Sequence, residues 1–290
     1  MPSRDAGRTL SVTDGTIAAM TPIDEQLVRA TAAEHGVPGP VAQEFIARSR
    51  PCVHLVPYDE VPLSRRENAR PAARTGGLPA LPDGTDRPRH GGPLVLSVDC
   101  AMLPREVLDI ELPADGHLLF FTEIEYEPDS SVVLHVPAGV PTTEHSATYE
   151  LDGDTVRATV YEPRSLYPLT GQTCRSDWRE APATRAFLAG DAGVAGQEGA
   201  GGTTAEDVLD NFERAVLDAL CGGTRPGVGV QLGGFSDPWD MAPDEGDLVL
   251  LAQMAGQAID HDVFTMNLIV GTRTDIAARK YAALRFEQQC

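Results

Sequence analysis

Apolar positions along the chain change period several times, and each period predicts its own element. Near the N-terminus they recur at helical spacing. Ile23, Leu27 and Ala30 share a face, completed by Ala33 or Glu34, and His35-Gly36 closes the helix. Thr21 can cap it, Pro22 suits its first turn, and Asp24 and Glu25 complement the positive end of its dipole. A second helix is expected from Pro40 to Arg50 with Val41, Phe45 and Ile46 inward, before CVHLVPY alternates as a short strand. From 92 to 162, β-branched and aromatic residues dominate. GPLVLSVDCAM, GHLLFFTEIEYE, SVVLHVP, ATYEL and TVRATVYE follow one another at hairpin spacings, with LPREVLDI as one short helix between the first two.

A glycine-rich stretch, 189–203, reads as a flexible loop. Thr204 then caps a long helix whose buried stripe is Val208, Phe212, Val216 and Leu220, and Gly222-Gly223 ends it. GVGVQLGGF, DLVLLAQM and VFTMNLIVG read as strands, and a closing helix is expected from about Thr274 to Phe286.

One pattern occurs twice. TGGLPALPDG, LVLSVDCAM and GHLLFFTEI run glycine pair, strand, connection, strand; QLGGFSDPWD, LVLLAQMAG and VFTMNLIVG repeat that order. Leu94-Val95-Leu96 matches Leu248-Val249-Leu250. Two such units imply an internal duplication in which each covers the apolar face of the other. The expected fold is α+β: a largely antiparallel β core from that duplication, with N-terminal helices, one mid-chain helix and a C-terminal helix. A flexible lead-in over 1–20 precedes one domain over 21–290, with β repeat one at about 70–165 and β repeat two at about 225–290.

Charge adds the next constraint. The formal net charge is −20, and it is uneven: residues 99–165 carry 14 acidic and 3 basic side chains, and residues 200–264 carry 12 and 2. Such a field repels nucleic acid and anionic lipid, so neither is an expected partner, and it favours a basic protein. No apolar run approaches the roughly 20 residues of a membrane helix, and the N-terminus has no secretory pattern, so a cytoplasmic protein is expected. Five scattered cysteines without a CxxC pair read as reduced thiols. Lys280 is the only lysine among 23 basic residues, a bias of GC-rich coding sequence.

The order of motifs carries a resemblance. Gly76, Gly77, Pro79, Leu81, Pro82 and Gly84 are followed by Leu112, Pro113, Gly116, Leu118, Phe120 and Phe121. Later come Leu232-Gly233-Gly234, Leu250-Leu251-Ala252-Gln253, Asp275 and Ala277. From about residue 70 to the C-terminus, except across the middle, the chain resembles the YwqG-like bacterial proteins, a domain family of unassigned function. The resemblance implies an α+β fold with a duplicated β core and no particular reaction. The chain departs from the family where the first loop reads Arg87-Pro88, where the first strand carries Val98-Asp99, and where the late turn reads Ile259-Asp260-His261-Asp262.

Signatures for metalloproteases, serine hydrolases and phosphate-binding loops are missing, which leans against an enzyme. Neither cofactor nor metal is expected. GVGVQLGG from Gly227 is a misspaced dinucleotide fingerprint, and Cys52 with His54 would give only two ligands. Candidate binding residues fall into four groups. Gly76-Gly77 and Gly233-Gly234 could form turns or a pocket wall of backbone donors. Gln231, Gln253 and Asp99 could line a cleft between the repeats. Asp260, His261 and Asp262 could hold a cation or tune a base, although an extended segment would let only two converge. Trp239, in Asp237-Pro238-Trp239-Asp240-Met241, either packs on the core or offers an aromatic contact to an arginine-bearing partner. The function expected is a non-catalytic protein-binding module with an acidic surface, of inhibitor or immunity type. The alternative is a small-molecule protein or enzyme with a pocket between the repeats, its ligand unidentified.

Overall fold

A computed structural model of the chain describes residues 24–85, 88, 92–125, 131–151, 153–192, 203–220 and 229–290. The expected lead-in, Thr21, Pro22, Gly222-Gly223 and most of the glycine-rich stretch lie outside the described residues. The chain opens with helices α1 (Glu25–Glu34) and α2 (Gly39–Ala47), then strand β1 (Ser49–Val56) and a short helix α3 (Leu63–Arg66). Strands β2 (Ala73–Thr75), β3 (Ala80–Pro82), β4 (Leu94–Asp99), β5 (His117–Phe121), β6 (Val132–Val136), β7 (Thr142–Glu144), β8 (Thr148–Leu151), β9 (Asp154–Arg157) and β10 (Arg164–Cys174) follow. After helices α4 (Pro182–Ala192) and α5 (Ala205–Leu220) come β11 (Val230–Gly233), β12 (Leu248–Ala255), α6 (Gly256–Ile259), β13 (Met266–Thr272), α7 (Arg273–Ala277) and β14 (Arg285–Gln289).

The fold is α+β with an antiparallel β core. Ten strands form one sheet in the order β14-β13-β12-β11-β1-β10-β2-β4-β5-β6, and the pairs β3-β7 and β8-β9 stand apart. Every ladder of the large sheet is antiparallel. Two four-strand meanders, β2-β4-β5-β6 and β11-β12-β13-β14, flank the central pair β1-β10.

The ladders relate the meanders by a pseudo-two-fold axis. Ala73 faces Leu166 on β10, and Val230 faces Leu55 on β1; Ala73 faces Val98, and Val230 faces Met254. Carried outward, this correspondence joins Leu118 to Leu268's neighbour Asn267 and β6 to β14 residue for residue, with Val136 opposite number to Gln289. Each meander has its register shift at the corresponding place, between Leu94 and Leu96 and between Leu250 and Ala252. The axis passes between Val56 and Tyr167, which pair with each other. The sequence match of Leu94 to Leu248 is therefore two residues out of register; Leu94 corresponds to Leu250.

Instead of stacking face to face, the repeats lie side by side in a sheet that curls until both meanders reach one core. That core joins Leu96, Val98, Leu118 and Phe120 to Leu232, Leu251, Met254 and Ile269. Each meander's β-strand connection plugs the interior: Leu108, Ile110 and Leu112 from one, Ile259 and Val263 from the other. A separate helical core joins α1, α2, α4 and α5, where Phe45 meets Trp178 edge-on at 5.1 Å.

Several local expectations need correction. Asp24, rather than Thr21, caps α1, its side chain accepting from Leu27 N at 2.9 Å. The second helix ends at Ala47, since Ser49 already pairs with Cys174. LPREVLDI contains one 3-10 turn, Arg105–Val107, between stretches of non-helical chain. Residues 189–192 belong to α4, so the mid-chain carries two helices. The closing helix stops at Ala277 and the chain turns at Arg279 (φ 57°) to finish as strand β14. Thr204 does cap α5, exchanging bonds with Asp207 in a capping box.

Candidate functional site

The glycine pairs end corresponding strands, and both residues of each pair have positive φ: 55° and 78° for Gly76 and Gly77, 65° and 78° for Gly233 and Gly234. A Cβ on Gly76 would lie 2.5 Å from Tyr161 O, and one on Gly234 would lie 2.5 Å from Thr173 Oγ1. Only glycine permits both the torsion and the approach. The first pair offers no donors to a ligand, because Gly76 N donates to Val95 O and Gly77 N to Tyr161 O, each at 3.0 Å.

Gln231 and Gln253 face each other in the β11-β12 ladder, on the outer side of the second meander. Together with Gln289 they hold down the loop that follows Gly234. Gln231 Nε2 donates to Gly233 O and Phe235 O at 2.9 and 3.0 Å. Gln253 Oε1 accepts from Asp237 N at 2.8 Å. Gln289 Oε1 accepts from Trp239 N and Asp240 N at 2.7 and 3.1 Å, while its Nε2 donates to Met241 O at 2.8 Å. Asp244, buried, takes Ser236 N and its hydroxyl. Backbone bonds thus fix the loop while its largest side chains point away. Trp239 is 54% exposed and Met241 76%. The expected packing of Trp239 over the core does not occur: its side chain faces solvent.

Asp99 does not join the glutamines. It ends β4 in the other meander, accepts from Ala101 N at 3.0 Å, and lines a separate groove. The proposed cleft of Gln231, Gln253 and Asp99 is therefore not formed. Gln289, the third member of the glutamine set, was missed because the expected closing helix runs to about Phe286 and the polar residues after it carry no strand alternation of their own.

Asp260, His261 and Asp262 come together more closely than an extended segment allows, because they form a turn in which Asp262 N donates to Asp260 Oδ1 at 3.1 Å. One ligand atom from each lies within 4.8 Å of the others, with His261 Nε2 3.2 Å from Asp262 Oδ1. Three ligands in solvent, with His261 79% exposed, make a weak cation site at best. Cys52 Sγ lies 3.3 Å from His54 Nε2, and no third ligand joins them among the described residues.

Glu123 is partly buried near Glu125, and desolvation first, then that second carboxylate, raises its pKa. A raised carboxylate contributes stability that is fully present below the ordinary value of about 4.3 and lost as pH rises through the folded-state value. Glu123→Gln is therefore expected to become more stable relative to wild type between acid and neutral pH, read from urea midpoints at the two ends. A constant difference would show that Glu123 titrates as in solution.

Two concavities are lined by the described residues. A cleft of about 1000 Å³ separates the facing sheet edges β6 and β14, lined by Val133, Leu134 and His135 on one side and Tyr281, Phe286 and Gln288 on the other. A groove of about 340 Å³ lies on the outer side of the first meander. Among the described residues no helix is long and apolar enough to cross a membrane. No family model matches the chain, and no curated protein matches it.

Proposed function

We propose that the protein is a non-catalytic binding module that captures a basic protein with the loop Ser236–Asp247. The observation that carries this is the pinned loop itself: Trp239 and Met241 face solvent while Gln289 bonds the backbone of residues 239, 240 and 241. An aromatic anchor held in place beforehand loses little conformational entropy on binding. Five acidic residues and no basic one lie between Ser236 and Asp247, which suits arginine or lysine contacts around the tryptophan. An inhibitor or immunity-type role in the cytoplasm is the concrete form of this reading. A second reading, a small-molecule site between the repeats, draws support from the cleft between β6 and β14.

The test compares wild type with the Trp239→Ala, Met241→Ala double variant as baits, at low and high ionic strength. A basic partner retained by wild type at low salt is expected to bind the variant at least about 30-fold more weakly, the effect of losing one hot spot of about 2 kcal/mol. Its retention should fall as salt rises. Both side chains are exposed, so the variant's stability should stay within about 0.5 kcal/mol of wild type. Equal retention by both baits would sink the proposal.

A further inference from the structure

The pseudo-two-fold gives each position in one meander a counterpart in the other, and the counterparts differ where the loops cross the sheet. Arg74 corresponds to Gln231, Ser97 to Gln253, Asp99 to Ala255 and His117 to Met266. The loops after the glycine pairs correspond too. Arg74 Nη2 donates to Leu78 O at 3.3 Å, as Gln231 Nε2 donates to Phe235 O at 3.0 Å. One step on, the likeness fails. In the second meander the Gln253 carboxamide fills the space beneath the loop and accepts from Asp237 N. In the first, the residues at those places are Ser97 and Ala80, and a serine side chain is too short to span the distance.

The space is open there. It is the groove of about 340 Å³, bounded by Ala80 and Thr142 above and by two rungs of the sheet below. One rung runs Ser165, Arg74, Ser97, Leu119; the next runs Asp99, His117, Val136. A gap left by a shortened side chain would be expected to close or to stay apolar. This one instead has a carboxylate and an imidazole where the second meander has Ala255 and Met266, and a guanidinium where it has Gln231. Convergent polar groups beside an apolar wall of Leu94, Leu119 and Val136 are the makings of a ligand site. Its volume is at the small end of the range of about 300–1000 Å³ for such sites, which suits an amino acid better than a nucleotide.

We propose that this groove binds a free α-amino acid with a carboxamide side chain. Asp99 takes the ammonium group and its ladder partner His117 takes the carboxylate carried by the same carbon, while the carboxamide reaches Ser97, Ala80 and the Arg74 guanidinium, where Gln253 lies in the other half. Ser97 and Asp99 are two residues apart on one strand, about 6–7 Å, which matches the span between the polar ends of such a molecule. The site is on the opposite meander from Trp239 and is independent of the protein-binding loop.

The probe is L-glutamine, titrated calorimetrically into the full chain, with L-glutamate as the comparison. Binding of L-glutamine is expected, weakened at least about tenfold for L-glutamate and in Asp99→Asn. Ser97→Gln should abolish it, since the introduced side chain takes the ligand's place, and should fold with a melting temperature at or above that of wild type. His117 imidazole resonances should move on titration in wild type and not in Ser97→Gln. No heat with L-glutamine up to about 10 mM, or binding that survives both Asp99→Asn and Ser97→Gln, would overturn the proposal.

Discussion

Asp109→Ala is expected to lower the unfolding free energy by about 1–3 kcal/mol, the usual cost of stripping buried donors of their partner, and less than a fully buried ion pair would lose because the Arg273 side chain is 43% exposed. The Asp109 side chain is 2% exposed and lies 3.6 Å from Arg50 Nε and 2.5 Å from Arg273 Nη2. Burial pulls the Arg50 pKa down, the Asp109 carboxylate draws it back up, and Arg273 pushes it down again. Without Asp109, two guanidinium groups would face each other with no carboxylate between them. The stretch that carries Asp109 also brings Leu108 and Ile110 into the main core, so loss of the charge would loosen a plug as well as a pair. Asp109→Asn keeps the shape and an acceptor and should lose clearly less. Urea midpoints of the two variants check this. A loss below about 1 kcal/mol in Asp109→Ala would mark the cluster as an ordinary surface contact.

Gly76→Ala should cost about 2–5 kcal/mol, from two sources. A left-handed torsion costs a non-glycine residue about 1–2 kcal/mol, and overpacking adds about 1–3 kcal/mol. Here the obstacle is backbone: the new Cβ would meet Tyr161 O at 2.5 Å and its carbonyl carbon at 2.7 Å. Gly84 is the control. Its φ is 77°, with no atom within 4 Å of a built Cβ, so Gly84→Ala should show the torsional cost of about 1–2 kcal/mol alone. Equal losses in the two variants, measured by chemical denaturation, would mean that the chain at Tyr161 yields freely.

The antiparallel core was legible because strand alternation and hairpin spacing are local signals. So were the glycine pairs, whose torsions follow from residue type. Strand order was not legible: β1 and β10 lie far apart in sequence and nothing local says that they pair. Arg273 and Asp109 are 164 positions apart, and only the curl of the sheet joins them. The last stretch was misread because Ala-Ala-Arg-Lys-Tyr-Ala-Ala-Leu has the composition of a helix. Its ladder with β13 and the packing of Phe286 against the main core override that propensity. Gln289 was lost with it, and so was the clamp on Trp239. The polar groove beside Ser97 could be seen only after the register corrected the match between the repeats.

Chain order and sheet order together have one more consequence. β1 leads into the first meander yet pairs with β11 of the second, and β10 leads into the second yet pairs with β2 of the first. Each half therefore donates its leading strand to the other, as two subunits do in a strand-exchanged homodimer. The chain thus has the strand arrangement of such a dimer joined in one polypeptide, with a glutamine clamp in one half and an open groove at the corresponding place in the other.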